Sequence, residues 1–185
     1  MLHGCGQDAE RLAASTRMNR VAERERFMVL YPEQDRLANA QGCWNWFDTG
    51  RAGRPGRAPA EADAVLAAID QACARRADRQ RVVVAGLSAG AGLAALLALR
   101  HPQRVAGVVM HSGVPPGKAR STADALRAMR GCAAPAPLDV PTGVALPPLL
   151  VIHGSLDGIV APSNAHAAVQ AWAAACGATA RPTRR

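Results

Sequence analysis

The sequence predicts an α/β fold, a mostly parallel sheet flanked by helices. Three observations carry that expectation. Short apolar, β-branched runs recur at Val82–Ala85, Val105–Met110 and Leu149–Ile152, the length and composition of strands buried on both faces. Longer Ala- and Leu-rich stretches with apolar residues at helical spacing lie between them. The runs end in Gly, Ser, His and Asp, residue types suited to the carboxyl ends of parallel strands, where ligands bind in such sheets. At 185 residues and 49% hydrophobic, the chain can bury a core as one domain spanning residues 1–185.

The elements follow in order. Asp8–Arg26 reads as a helix, with Leu12, Met18, Val21 and Ala22 among charges. Phe27–Tyr31 reads as a short buried strand stopped by Pro32. Gln34–Pro59 is loop and holds two of the three tryptophans, Trp44 and Trp46. Aromatics in a loop are costly to expose, so they either line a cleft or pack over the core as a lid. Glu61–Arg76 is a helix with Val65, Leu66, Ile69 and Cys73 on one face. After the strand at Val82 comes the helix Ala89–Arg100, stopped by His101-Pro102. Val105–Met110 is the next strand, ending in His111-Ser112-Gly113. Residues 115–147, rich in Pro, Ala and Gly, form a cap-like insertion with a short helix near Ala123–Met129. Leu149–Ile152 is a strand followed by His153-Gly154-Ser155-Leu156-Asp157. Ser163–Cys176 is the last helix, with Ser163 as N-cap, Val169, Trp172, Ala173 and Cys176 as apolar face, and Gly177 as C-cap.

The chemistry concentrates at Gly86-Leu87-Ser88-Ala89-Gly90. Strand, Gly-x-Ser-x-Gly, helix is the nucleophile elbow. The turn is tight enough to strain Ser88, and Gly86 and Gly90 let strand and helix pass closely. Ser88 Oγ then stands above the sheet, with the helix N-terminus favouring negative charge beneath it.

Several function classes are disfavoured. The net charge of +8 suggests an acidic partner, but arginines are scattered, with short clusters only at Arg51–Arg57 and Arg181–Arg185. Lys118 is the single lysine and no aromatics interleave with the charges, which argues against nucleic acid. No apolar run reaches membrane-spanning length, and Met-Leu-His-Gly opens without the basic and apolar regions of a signal peptide. Five cysteines without Cys-x-x-Cys spacing argue against a zinc site. Their odd number leaves at least one thiol free, and the sequence does not pair the others.

Six motifs then appear in one order: His3-Gly4-Cys5, Tyr31-Pro32-Glu33-Gln34, Cys43-Trp44-Asn45-Trp46-Phe47, Gly86-Leu87-Ser88-Ala89-Gly90, His111-Ser112-Gly113 and His153-Gly154-x-x-Asp157. Over about residues 1–176 the chain resembles the polyhydroxybutyrate (PHB) depolymerase family of esterases, which are α/β-hydrolases. The resemblance implies a carboxylic ester hydrolase, extracellular or periplasmic, without metal or organic cofactor. Its substrates would be polyhydroxyalkanoates or acylated plant polysaccharides. It implies Ser88 as nucleophile, the backbone N–H groups of Cys5 and Ala89 as oxyanion hole, Asp157 as triad acid, and Trp44 and Trp46 near the substrate.

One departure concerns the base. Triad order in this fold is Ser, Asp, His. After Asp157 the only histidine is His166, on the last helix, where helix geometry points it elsewhere. His111 follows a strand end, but the family has no base there. His3 and His153 read as turn residues whose rings bond local backbone. The triad histidine is therefore expected to be absent from this chain, along with the first strands and the last strand of the sheet, as in a chain truncated at both ends. A non-catalytic binding protein and a serine peptidase on the same fold are the alternatives.

Overall fold

The computed structural model describes residues 1–47, 61–74, 77–119, 121–132, 137–138, 140 and 143–178. Within them the order is α1 (Ala9–Thr16), α2 (Met18–Glu25), α3 (Glu61–Cys73), β1 (Val83–Leu87), α4 (Ala89–Arg100), β2 (Gly107–His111), α5 (Thr122–Met129), β3 (Leu149–Ile152) and α6 (Ser163–Ala175). The expected α/β architecture is present. The sheet runs β1-β2-β3, parallel throughout, with Val83 opposite Gly107 and Val108 opposite Leu149.

A fourth segment touches the sheet at one residue. Leu2 forms an isolated parallel bridge to Gly86. Its N–H donates to the Ala85 carbonyl at 2.8 Å, and its carbonyl accepts the Leu87 N–H at 3.0 Å. The expected strand at Phe27–Tyr31 does not form: the segment has no ladder, and Phe27 and Met28 are exposed. A strand needs a neighbour, and the neighbouring segment contributes Leu2 alone. A cavity of about 880 Å³ opens beside it, lined by Leu2, Met28, Leu30, Ile69 and Val83 among others.

The helix expected over Asp8–Arg26 is two helices. Asp8 caps α1 by accepting the Arg11 N–H at 2.7 Å. Arg17, at φ 53°, then breaks the run. In α6 the N-cap is Pro162, and Ser163 is already helical. The buried residues of α6 are Asn164, Ala168 and Trp172, while Val169 and Cys176 are exposed. The apolar face is turned from the one expected because the Trp172 indole N–H donates to the Pro147 carbonyl at 2.9 Å and fixes the rotation of the helix.

The core is centred on α4, whose residues Ala89–Leu99 are all buried. It packs on β1 and β2 and against α3. Small residues permit that approach. A Cβ on Gly86 would lie 2.1 Å from the Gly90 carbonyl oxygen, and one on Gly90 would lie 2.4 Å from the Leu2 carbonyl oxygen. Among the described residues the other face of the sheet is poorly covered. Val83 is 59% and Leu150 55% exposed, two apolar side chains that a complete two-sided parallel sheet would bury.

In the segment expected to be an insertion, α5 lies at Thr122–Met129, capped by the Ser121 hydroxyl. Asn164 fastens it, donating to the Ala128 carbonyl at 2.9 Å. Among residues expected to be loop, 48–60 fall outside the described residues, as does the arginine cluster at 181–185.

Candidate active site

The strand β1 ends at Leu87 and α4 begins at Ala89, so Ser88 carries the whole turn. Its backbone is at φ 55° and ψ −117°, a strained region for a residue with a side chain. The strain is held from two sides. Ser88 N–H donates to the His111 carbonyl at 2.9 Å, and the Ser88 carbonyl accepts the Ala91 and Gly92 N–H groups. Ala89 opens α4, so its N–H belongs to the donors that a first turn leaves without an intrahelical acceptor.

The His3-Gly4-Cys5 turn lies directly over this elbow. An ideal Cβ on Gly4 would be 3.5 Å from Ser88 Cβ. Cys5 follows, exposed, and its N–H has no acceptor among the described residues. Ser88, Ala89 and the turn bearing Cys5 thus sit at one place, with two free N–H groups on offer to a developing negative charge.

Cys5 is also disulfide-bonded to Cys43, a pairing the sequence left open. The bridge ties the turn to the tryptophan loop. Trp44 and Trp46 are both buried in the core cluster. Trp44 rests on the His3 ring at a centroid distance of 5.2 Å, and Trp46 packs against Gly92, one turn into α4. The loop is fixed by Glu61, whose carboxylate accepts the Asn45 backbone and side-chain N–H groups and the Gln34 side-chain N–H, each at 2.6 Å.

Asp157 lies in the loop after β3. Its Oδ1 accepts the Ile159 and Val160 N–H groups, each at 2.9 Å, an Asx turn that fixes the carboxylate. The Val160 and Ile159 N–H groups hold its carboxyl below the usual value, helped by the Ser112 hydroxyl and the His153 ring and opposed by desolvation. Ser112, at φ 49°, follows β2, the strand between β1 and β3. It therefore stands between the Ser88 and Asp157 loops. The His111-Ser112-Gly113 motif contained this residue, but nothing in its spacing indicated that Ser112 would reach Asp157.

No described histidine reaches Ser88 Oγ, which has no hydrogen-bond partner among the described residues. His166 is exposed on α6, with Nδ1 3.4 Å from the Pro162 carbonyl. His111 is exposed, on the opposite face of β2 from buried Met110. His153 Nε2 is 2.8 Å from the Val160 carbonyl. Among the described residues no group of three His, Cys, Asp or Glu side chains is arranged to hold a metal, and no helix is long and apolar enough to cross a membrane.

Comparison with known proteins finds relatives over nearly the whole chain. A family model described as Esterase PHB depolymerase matches residues 1–180. Poly(3-hydroxyalkanoate) depolymerase C of Paucimonas lemoignei is 32% identical over 179 residues, covering 91% of this chain and 42% of that protein. Probable acetylxylan esterase A of Aspergillus fumigatus is 25% identical, covering 95% of this chain and 50% of that protein. The chain thus spans half or less of these relatives. An acetyl xylan esterase from Aspergillus awamori superposes with a TM-score of 0.82 at 20% identity, over 95% of this chain and 68% of that one. Arabidopsis thaliana SOBER1 follows with 0.61 at 21% identity, over 96% and 82%. These two likenesses establish the α/β-hydrolase fold.

Proposed function

The chain belongs to the Esterase PHB depolymerase family, and from that premise we propose that it is the nucleophile-bearing portion of a serine carboxylic ester hydrolase. Ser88 Oγ attacks the ester carbonyl. The Cys5 and Ala89 N–H groups receive the oxyanion. Asp157 orients and stabilises the histidine that takes the serine proton. The observation that carries this reading is the strained Ser88 at φ 55° beneath a turn that offers a free Cys5 N–H.

The base comes from outside these 185 residues, because no described histidine hydrogen-bonds Ser88 Oγ. The chain then corresponds to part of a longer enzyme, and alone it reacts slowly. The substrate is an ester of the classes its relatives are named for, a polyhydroxyalkanoate or an acetylated polysaccharide. Trp44 and Trp46 back the substrate cleft, and the segment bearing α5 caps it. The Cys5–Cys43 bridge supports an oxidising, extracellular or periplasmic location. The unpartnered Ser88 Oγ favours one second reading, a binding protein that retains the pocket without turnover.

A fluorophosphonate probe, with the modified residue located by peptide mass, tests the proposal. Modification of Ser88, lost in Ser88→Ala and accelerated when the chain is extended at both ends, is expected. Unmodified Ser88 in the extended protein, alongside saturable ester binding, would establish the binding reading instead.

A further inference from the structure

His3 is 1% exposed, and both ring nitrogens are committed. Nε2 lies 3.1 Å from the Gln34 backbone N–H, which can only donate, so Nε2 accepts and the proton is on Nδ1. Nδ1–H then donates to the Gly4 carbonyl at 2.9 Å. That carbonyl belongs to the same peptide unit as the Cys5 N–H. A planar peptide cannot turn one end without the other. Whatever holds the Gly4 oxygen therefore aims the Cys5 hydrogen.

The hold continues outward. The Gly4 oxygen also accepts the Gln7 N–H at 3.2 Å, and the Gly4 N–H donates to Gln7 Oε1 at 2.9 Å. Gln34 is in turn fixed through its side chain by Glu61. Trp44 covers the imidazole. A hydrogen bond to a peptide carbonyl polarises the unit and strengthens its N–H as a donor.

We propose that His3 is a positioning residue for ester cleavage, setting the Gly4–Cys5 peptide plane so that the Cys5 N–H meets the oxyanion formed at Ser88. The inference rests on the oxyanion role proposed for Cys5. His3 neither touches substrate nor moves a proton in the reaction.

The test uses two substitutions that each keep one half of the ring. His3→Asn leaves an N–H donor near the place of Nδ1 and removes the Nε2 acceptor. His3→Gln leaves an acceptor near Nε2 and removes the Nδ1 donor. The readout is the second-order rate of fluorophosphonate modification of Ser88, with thermal midpoints measured alongside. His3→Asn is expected within about threefold of the unaltered chain. His3→Gln is expected to fall on the order of tenfold or more, below the ~10²–10³ lost with a whole oxyanion donor. Equal rates in both variants, or rates that follow thermal midpoint rather than retained donor, would overturn the inference.

Two readouts need no variant. The ring nitrogen shifts of His3 must report the Nδ1–H tautomer, and an Nε2–H tautomer overturns the inference even if both variants fail to fold. The Cys5 amide proton must move downfield when Ser88 carries the phosphonyl group. If Ser88 is modified and that proton does not move, the oxyanion role of Cys5 fails while Ser88 stands as nucleophile. If Ser88 stays unmodified even in the chain extended at both ends, the serine reading fails and this inference with it.

Discussion

His153 Nε2 stands 3.4 Å from Asp157 Oδ2 and 2.8 Å from the Val160 carbonyl oxygen. A carbonyl only accepts, so the ring proton is on Nε2 and directed at the backbone. The histidine beside the acid thus braces the loop through the Val160 carbonyl, and the Asp157 carboxylate is held by the Ile159 and Val160 N–H groups instead.

The first prediction follows from the charge of Asp157. Backbone N–H groups of Val160 and Ile159 lower its carboxyl below the usual value. A lowered folded value means the group's stabilisation is fully present above the unfolded value, about 3.9, and is lost as pH falls through the folded one. Asp157→Asn is therefore expected to lower the denaturation midpoint by a constant amount from neutral pH to about 4, with the gap narrowing below. A gap that stays constant or widens in acid would contradict this.

Ser88 gives a prediction of opposite sign. Its backbone strain costs about 1–3 kcal/mol, whereas a glycine adds roughly 0.4–1 kcal/mol of unfolded-state entropy. The strain is larger, so Ser88→Gly should be more stable than Ser88→Ala in urea, and neither should take the phosphonyl label. Equal stability of the two would mean that the turn is relaxed.

Gly86 has no room for a methyl group, since its Cβ would lie 2.1 Å from the Gly90 carbonyl oxygen. Gly86→Ala must separate β1 from α4. At least the ~1–3 kcal/mol of an overpacked core is expected, together with loss of Ser88 labelling. A variant with unchanged midpoint and labelling would show that strand and helix are not in contact there.

Leu97 is fully buried in α4. Leu97→Ala should cost about 2–5 kcal/mol, read from denaturant unfolding, without abolishing Ser88 labelling if the protein is assayed well below its midpoint.

The disulfide supplies the last prediction. Cys5 and Cys43 are 38 residues apart, and opening such a loop in Cys43→Ser should cost about 2–4 kcal/mol. The turn over Ser88 loses its tie to the tryptophan loop, so labelling should slow even where the variant is folded. An unaltered labelling rate would show that Gln7 and His3 hold the turn unaided.

What was legible in the sequence was local. The helix Ala89–Arg100 and the strand Leu149–Ile152 have the bounds their residues indicate, because apolar composition, Pro102 and the elbow glycines act within a few residues. Phe27–Tyr31 looked equally like a strand, but strand formation depends on a neighbour, and Leu2 offers one residue of it. The break at Arg17 was invisible, since nothing in arginine marks a left-handed backbone. The rotation of α6 is set by Trp172 bonding Pro147, 25 residues away. At the candidate site, short motifs singled out Ser88, which the structure puts at the β1–α4 turn, and Asp157, which it puts in the loop after β3. The Cys5–Cys43 pairing and the path from Glu61 through Gln34 to His3 link residues up to 38 apart, and no spacing rule announces them.

The Cys5–Cys43 bridge is immediately followed by Trp44, itself buried, whereas Trp172 lies on α6. A disulfide accepts an electron from an excited indole, so the oxidised chain is expected to emit from Trp46 and Trp172 with Trp44 quenched, and reduction to restore the light of Trp44. The turn over the candidate nucleophile thereby carries its own optical gauge.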